Sequence, residues 1–148
     1  MPVKAITVNN YKEDRYYNGI VDAVSKLLEI KRDIAPVEVL MEMGLLQSTA
    51  LNDWKLGRIS YLEKVIGCNL GKIGRILRIL RFHAYDLNLG QRLTFYNKRG
   101  KPLRFSKTGD AKIEEAYRRH FVAIGKTSKF KLGQEPILDQ PKEMLLNV

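Results

Sequence analysis

Apolar residues recur at helical spacing through the first sixty positions. In residues 12–31 they form one stripe, which predicts an amphipathic helix packed on a core: Tyr17, Ile20, Val21, Val24, Leu27 and Leu28. Pro36 suits the first turn of a second helix, because the N–H that proline lacks has no partner at that position. Gly44 suits the end of that helix. A third short helix is predicted to begin at Ser48 or Thr49 as its N-cap.

A longer apolar stripe covers residues 61–87. Ser60 and Glu63 have the spacing of a capping box, which predicts the start of a helix there. Three glycines interrupt the stretch, each costing about 0.5–1 kcal/mol relative to alanine inside a helix: Gly67, Gly71 and Gly74. Two interpretations stay open. One is a continuous helix with a bare glycine face that another helix or a sugar-phosphate backbone can approach. The other is a break at residues 69–71 and a new helix from near Lys72.

The period changes from helical to alternating after Leu89-Gly90. Four apolar residues alternate with polar ones around residues 97–100, and the pattern predicts a β-hairpin over residues 91–107 with these four in the core: Leu93, Phe95, Leu103 and Phe105. Thr108, Gly109 and Asp110 predict the start of a last helix that reaches about Val122.

These elements predict a mainly α fold of α+β type, with about five helices, one β-hairpin and a helix-turn-helix-like N-terminal half. Residues 1–124 are expected to form a single domain. Residues 125–148, with scattered glycine and proline and weak periodicity, are expected to be a C-terminal extension. With 148 residues, of which 45% are hydrophobic, the chain is long enough to bury a core.

The cysteine and histidine content narrows the chemistry. Cys68 is the single cysteine, so an intramolecular disulfide is excluded, and we expect it to be a small buried residue. With two histidines besides, no metal site and no cofactor are expected. No apolar run is long enough to span a bilayer, and the N-terminus has no apolar stretch of signal-peptide type. These features favour a cytoplasmic protein.

The net charge of +10 is unevenly distributed. Residues 1–60 hold eight Lys/Arg and eight Asp/Glu, whereas residues 61–148 hold eighteen and eight, so the second part carries the whole excess. Such asymmetry indicates a polyanionic partner, of which nucleic acid is the first candidate and an acidic protein the second; a membrane partner is not expected. The alternative is a solvated basic face with no partner.

Residues 37–58 resemble the helix-turn-helix of phage-repressor-like DNA-binding domains. The resemblance lies in a turn, Gly44-Leu45-Leu46, followed by a polar helix that ends in Trp54-Lys55-Leu56-Gly57. In that family the second helix enters the major groove. The resemblance therefore implies four base-contacting residues: Gln47, Thr49, Asn52 and Lys55. The segment is electrically balanced, and a plain helical corner is the alternative.

Two basic groups are candidates for phosphate contact. The first recurs in steps of three on the predicted long helix, with few acidic residues nearby in sequence: Lys72, Arg75, Arg78 and Arg81. The second lies in the predicted hairpin: Arg92, Lys98, Arg99, Lys101, Arg104 and Lys107. Tyr96 is the hairpin aromatic expected to be exposed and to stack on a base. The alternative for the hairpin cations is protection of a strand edge against aggregation.

The last helix and the two histidines offer weaker candidates. Glu114–Arg118 and Glu115–Arg119 have the spacing of ordinary surface ion pairs. A nuclease-like enzyme would use His83 or His120 as a general base, beside Tyr85 or Glu114 and an arginine. No spacing requires this chemistry, so we expect a non-catalytic protein.

Three further segments together resemble a family of short bacterial proteins of uncharacterised function: Ala35-Pro36-Val37-Glu38-Val39-Leu40, the stretch from Trp54 to Glu63, and the stretch from Leu103 to Asp110. The resemblance spans most of residues 15–122 and implies a bacterial, cytoplasmic, single-domain protein with no particular activity. The residues therefore favour a nucleic-acid-binding protein, with DNA preferred to RNA. The alternatives are a protein-interaction module (an adaptor or inhibitor with a basic surface for an acidic partner) and a small nuclease-like enzyme.

Overall fold

A computed structural model describes residues 5–124, and within them five α-helices dominate. Their bounds are α1 Tyr17–Leu28, α2 Pro36–Glu42, α3 Ser48–Lys55, α4 Leu70–Asp86 and α5 Ala111–Arg118. Short 3-10 helices occupy Tyr11–Glu13 and Leu62–Val65. The predicted mainly α class with a small β component is confirmed. The predicted extension, residues 125–148, lies outside the described residues.

The helical stretch predicted over residues 61–87 is broken, which agrees with the second of the two interpretations, a break at residues 69–71. The side chain of Asn69 accepts a hydrogen bond from the N–H of Lys72 at 2.9 Å and caps α4. The predicted capping box at Ser60 is wrong, because Glu63 has partners distant in sequence. Its carboxylate accepts the N–H of Lys107 at 3.0 Å and the hydroxyl of Tyr117 at 2.9 Å.

Three antiparallel strands form the main sheet in the order β1, β5, β2. Their bounds are β1 Asp33–Ile34, β2 Gly90–Leu93 and β5 Arg119–Val122. The last helix therefore stops at Arg118 instead of reaching Val122, and its continuation becomes the central strand. The periodicity of the sequence could not separate a helix end from a strand that follows it directly.

The predicted hairpin over residues 91–107 is wrong in extent. Only β3 Asn97–Lys98 and β4 Lys101–Pro102 pair with each other, around a turn in which Arg99 and Gly100 have φ of 53° and 79°. The segment ahead of them, β2, pairs with β5 instead. Consequently the predicted core positions Leu93 and Phe95 are 46% and 65% exposed, although Phe105 is fully buried.

An aromatic cluster lies in the core where α3, α5 and the loop after β4 meet. Trp54 is fully buried, and its indole N–H donates to the carbonyl oxygen of Arg104 at 2.8 Å. The ring of Phe105 lies 4.8 Å from that of Trp54 and stacks on Tyr117 at 4.9 Å. Cys68, expected in the core, is half-buried, and burial raises the pKa of its thiol.

The loop between β4 and α5 is fastened by one buried carboxylate. Glu114 accepts the N–H groups of Phe105 and Ser106 at 3.0 and 2.7 Å and the Ser106 hydroxyl at 2.6 Å. At the start of α5, Asp110 accepts from the N–H groups of Lys112 and Ile113, as a predicted helix start requires. Within residues 5–124, no helix has the length and apolar character needed to cross a bilayer.

Candidate nucleic-acid interface

The helix after Gly44 presents a polar face to solvent. Gly44 adopts φ of 78° in the turn between α2 and α3, while Leu51 and Trp54 turn into the core. All four predicted base-contacting residues are exposed: Gln47, Thr49, Asn52 and Lys55. Thr49 and Asn52 lie on the face opposite the buried side chains, whereas Gln47 and Lys55, four positions before and after Leu51, lie at the two ends of the helix and nearer its buried side. Gln47, rather than the predicted Ser48 or Thr49, holds the N-cap position, and it makes no side-chain cap.

The hairpin tip lies against the C-terminal end of this helix. The ammonium group of Lys98 donates a hydrogen bond to the carbonyl oxygen of Leu56. The contact is close, since a Cβ added to Gly57 would lie 3.1 Å from Cδ of Lys98. The tip of the hairpin therefore lies at the C-terminal end of α3. We call the combined set the α3–hairpin surface: Gln47, Thr49, Asn52, Lys55, Lys98, Arg99 and Lys101.

The other predicted hairpin residues do not join this surface. Arg92 forms an ion pair with Asp33, and the guanidinium of Arg104 lies 5.5 Å from the ring centroid of Tyr61. Lys107 is exposed beside Glu63, where its backbone N–H bonds the carboxylate.

Tyr96 is not the exposed aromatic that the sequence predicts. It is half-buried, its ring packs edge-on against Phe105 at 5.2 Å, and its hydroxyl lies 2.8 Å from Nε2 of His120. Burial raises its pKa to about 12. Phe95 is the exposed ring here, with the guanidinium of Arg118 at 5.4 Å from its centroid.

Two of the four basic residues on α4 make structural contacts with the N-terminal segment. Arg75 pairs with Asp14, whose side chain is only 2% exposed. Nε of Arg78 donates to the carbonyl oxygen of Ile6 at 2.6 Å. The sequence suggested few acidic residues nearby, but Asp14 reaches α4 from 61 positions away. Lys72 is exposed on the first turn of the helix.

Arg78 and Arg81 line a groove of about 570 Å³ between α4 and α5, together with two cations that sequence reasoning missed, Lys112 and Arg119. Burial, and next the positive charge of Arg119, lower the pKa of the Arg81 guanidinium. The sequence did contain a signal for Lys112 and Arg119. Lys112, Glu115 and Arg119 recur at helical spacing around α5, although Arg119 itself begins β5.

His120 is the centre of a hydrogen-bonded network. Its Nδ1 lies 2.9 Å from a carboxylate oxygen of Asp33, and its Nε2 lies 2.8 Å from the Tyr96 hydroxyl. Burial, and then the charge of Arg92, lower its pKa. The partners fit the neutral ring, whose Nδ1–H donates to Asp33 while Nε2 accepts from Tyr96. Both ring nitrogens are engaged within the fold, so neither is presented to a substrate as a general base.

His83 is buried on α4, and its ring meets the ring of Tyr17 edge-on at 5.8 Å. Its Nδ1 has no hydrogen-bond partner within residues 5–124. Burial lowers its pKa, against a smaller opposing effect of Asp86. A buried ring that favours its neutral form fits a place in the core.

The two histidines predict a loss of stability in mild acid. Each has a folded-state pKa below the ordinary histidine value of 6.5, so the unfolded chain binds the proton more readily. The neutral rings contribute fully to the free energy of unfolding above pH 6.5, and this contribution is lost as pH falls through that value towards the folded-state pKa. Urea unfolding between pH 7.5 and 5.5 measures the effect. His120→Gln should show a shallower pH dependence, and an unchanged slope would contradict the assignment.

No family model, curated protein sequence or solved structure matches this chain. The function is therefore inferred from the arrangement of its own residues.

Proposed function

We propose that this chain is a non-catalytic nucleic-acid-binding protein that prefers DNA and binds through the α3–hairpin surface. One observation carries the proposal: the ammonium group of Lys98 bonds the carbonyl oxygen of Leu56 and so holds the hairpin tip at the end of α3. In the proposed arrangement, the exposed polar side chains of α3 and the exposed cations of the hairpin contact the same duplex.

The chemistry of the two parts is complementary. Glutamine and asparagine bond the edge of adenine, and threonine contacts base edges or methyl groups, which suits Gln47, Asn52 and Thr49 to base contact. Lys55 can reach guanine, while Arg99 and Lys101 would contact phosphates. An α-helix with its side chains is about 10–12 Å in diameter, which matches the major-groove width of about 12 Å, so the exposed helix α3 could enter the groove.

The proposal predicts that Arg99→Glu together with Lys101→Glu strongly weakens DNA binding. Two lost phosphate contacts should lower the slope of log affinity against log salt by about 1.8, from roughly 0.9 per contact. Fluorescence anisotropy with labelled duplex DNA, single-stranded DNA and RNA at several salt concentrations measures affinity, slope and preferred form. Arg99 and Lys101 are exposed, so we expect the variant to stay folded.

The matched control is Arg15→Glu with Lys26→Glu, which makes the same change in net charge on exposed residues at and just before α1. It should bind within a few-fold of the wild type. Equal weakening of both variants would indicate a non-specific charge effect, and it would count against the α3–hairpin surface. Absence of binding to every nucleic acid at low salt would reject the function itself.

A further inference from the structure

The groove between α4 and α5 lies apart from the α3–hairpin surface and has the size and lining of a small-molecule site. Its volume of about 570 Å³ falls within the usual range for such sites, roughly 300–1,000 Å³. The floor is apolar and comes from α4, α5 and β5: Leu70, Ile73, Leu77, Leu80, Ile113 and Phe121.

The charges that line the groove favour an anion. Its four cations are Arg78, Arg81, Lys112 and Arg119, against the carboxylates Glu63 and Glu115. Glu115 pairs with Arg119 at 3.0 Å, and Nε of Arg78 donates to the carbonyl oxygen of Ile6. Glu63 accepts from the backbone N–H of Lys107 and from the hydroxyl of Tyr117, so the four cations still outnumber the two carboxylates.

Arg81 is the cation best placed to receive an anion. Its side chain, like the exposed ammonium group of Lys112, makes none of the hydrogen bonds or ion pairs found within residues 5–124, and its planar guanidinium can bind an oxyanion in bidentate fashion. The positive charges of Arg119 and Arg78 repel it within the groove, against an opposing attraction from Glu115. An oxyanion held at this point would reduce the repulsion between the three guanidinium groups and would accept hydrogen bonds from Arg81.

A glycine in the wall is a second, independent observation. Gly74 lies in the interior of α4, where glycine lowers helix stability relative to alanine. No packing contact requires it, since an added Cβ would meet nothing within 4 Å. The missing side chain instead leaves space in the groove.

We propose that the α4–α5 groove binds a small organic oxyanion, with an apolar body on the floor and a carboxylate or phosphate against Arg81. Guanidinium groups bind both kinds of oxyanion in bidentate fashion. A nucleic-acid strand suits the groove less well, because its sugar-phosphate backbone would place polar surface on the apolar floor. This site is separate from the proposed nucleic-acid surface and does not depend on it.

The first test compares four probes of equal chain length by isothermal titration calorimetry: hexyl phosphate, hexanoate, hexanol and hexylammonium, with inorganic phosphate alongside. At least one of the two anions should bind ten-fold or more tightly than hexanol and hexylammonium, and more tightly than inorganic phosphate. The stronger anion identifies the head group. Equal binding of hexanol, or no binding of either anion at millimolar concentration, would overturn the proposal.

Two variants at one position test the location. Gly74→Leu should fill the groove and weaken anion binding at least ten-fold, whereas Gly74→Ala should keep most of the affinity. Both residues favour a helix over glycine, so folding is expected to be preserved, and circular dichroism checks this. Arg81→Gln should weaken binding of the anion and leave the affinity for hexanol unchanged. Equal anion affinity in the wild type and Gly74→Leu would place the ligand elsewhere and refute the site.

Discussion

Glu114→Ala is expected to lower the free energy of unfolding by about 3–5 kcal/mol. The carboxylate is 5% exposed and accepts three hydrogen bonds, two from the backbone N–H groups of Phe105 and Ser106 and one from the Ser106 hydroxyl. Hydrogen bonds to a charged group contribute about 1.5–3 kcal/mol each, and a buried N–H left without a partner costs about 1–3 kcal/mol. Alanine would leave both backbone donors unpaired. Urea unfolding monitored by tryptophan fluorescence measures the loss, because Trp54 packs on Phe105.

The neighbouring acid supplies the control. Glu115 is exposed, and within the described residues it forms a surface ion pair with Arg119, so Glu115→Ala should lower the free energy of unfolding by less than about 1 kcal/mol. The stability of Glu114→Gln should fall between those of the two alanine variants. Its amide keeps one acceptor oxygen, but its NH₂ group faces N–H donors. A Glu114→Ala protein within 1 kcal/mol of wild type would show that Glu114 does not hold the loop.

Arg75→Glu is expected to destabilise the fold by about 3–5 kcal/mol, the usual consequence of breaking a buried ion pair. The substitution would place a carboxylate against Asp14, which is almost fully buried and also accepts the N–H of Tyr16 at 2.9 Å. Chemical unfolding followed by far-ultraviolet circular dichroism measures the change. The effect bears on function: charge reversal at Arg75 would impair DNA binding through unfolding, so Arg99 and Lys101 give the cleaner test.

A double-mutant cycle separates this contact from a general charge effect. Asp14→Asn and Arg75→Gln should each lower the free energy of unfolding. The double variant should lose less stability than the sum of the two single losses. Lys72→Glu, one turn earlier and exposed on the same helix, should change stability by no more than about 0.5 kcal/mol. Additive effects of Asp14→Asn and Arg75→Gln would contradict the pair.

Much of the fold could be predicted where neighbouring residues set the local structure. Apolar spacing predicted α1 and α2, Gly44 predicted the turn that follows, and Asp110 predicted the start of α5. Signals of this kind act within one or two helical turns, so they are present in the sequence itself. The exposure of the polar face of α3 also follows from the burial of Leu51 and Trp54 on its other side.

Elements that depend on distant partners could not be predicted in this way. Ser60 and Glu63 have a capping-box spacing, yet Glu63 bonds Lys107 and Tyr117, because tertiary hydrogen bonds replace the local one. An alternating pattern predicts that a segment is extended, but it does not name the pairing strand, and β2 pairs with β5 rather than across the predicted hairpin.

The sequence by itself determined the helical character of this protein, its excess of positive charge and the polar side of α3. Only the tertiary structure decided how the cations are used. Asp14 and Ile6 engage Arg75 and Arg78, Lys98 seats the hairpin on α3, and Arg81 faces the α4–α5 groove. The physical reason is that a guanidinium or ammonium group carries the same charge at every position. Whether it stabilises the fold or is available to a ligand depends on which groups the folded chain brings within hydrogen-bonding distance.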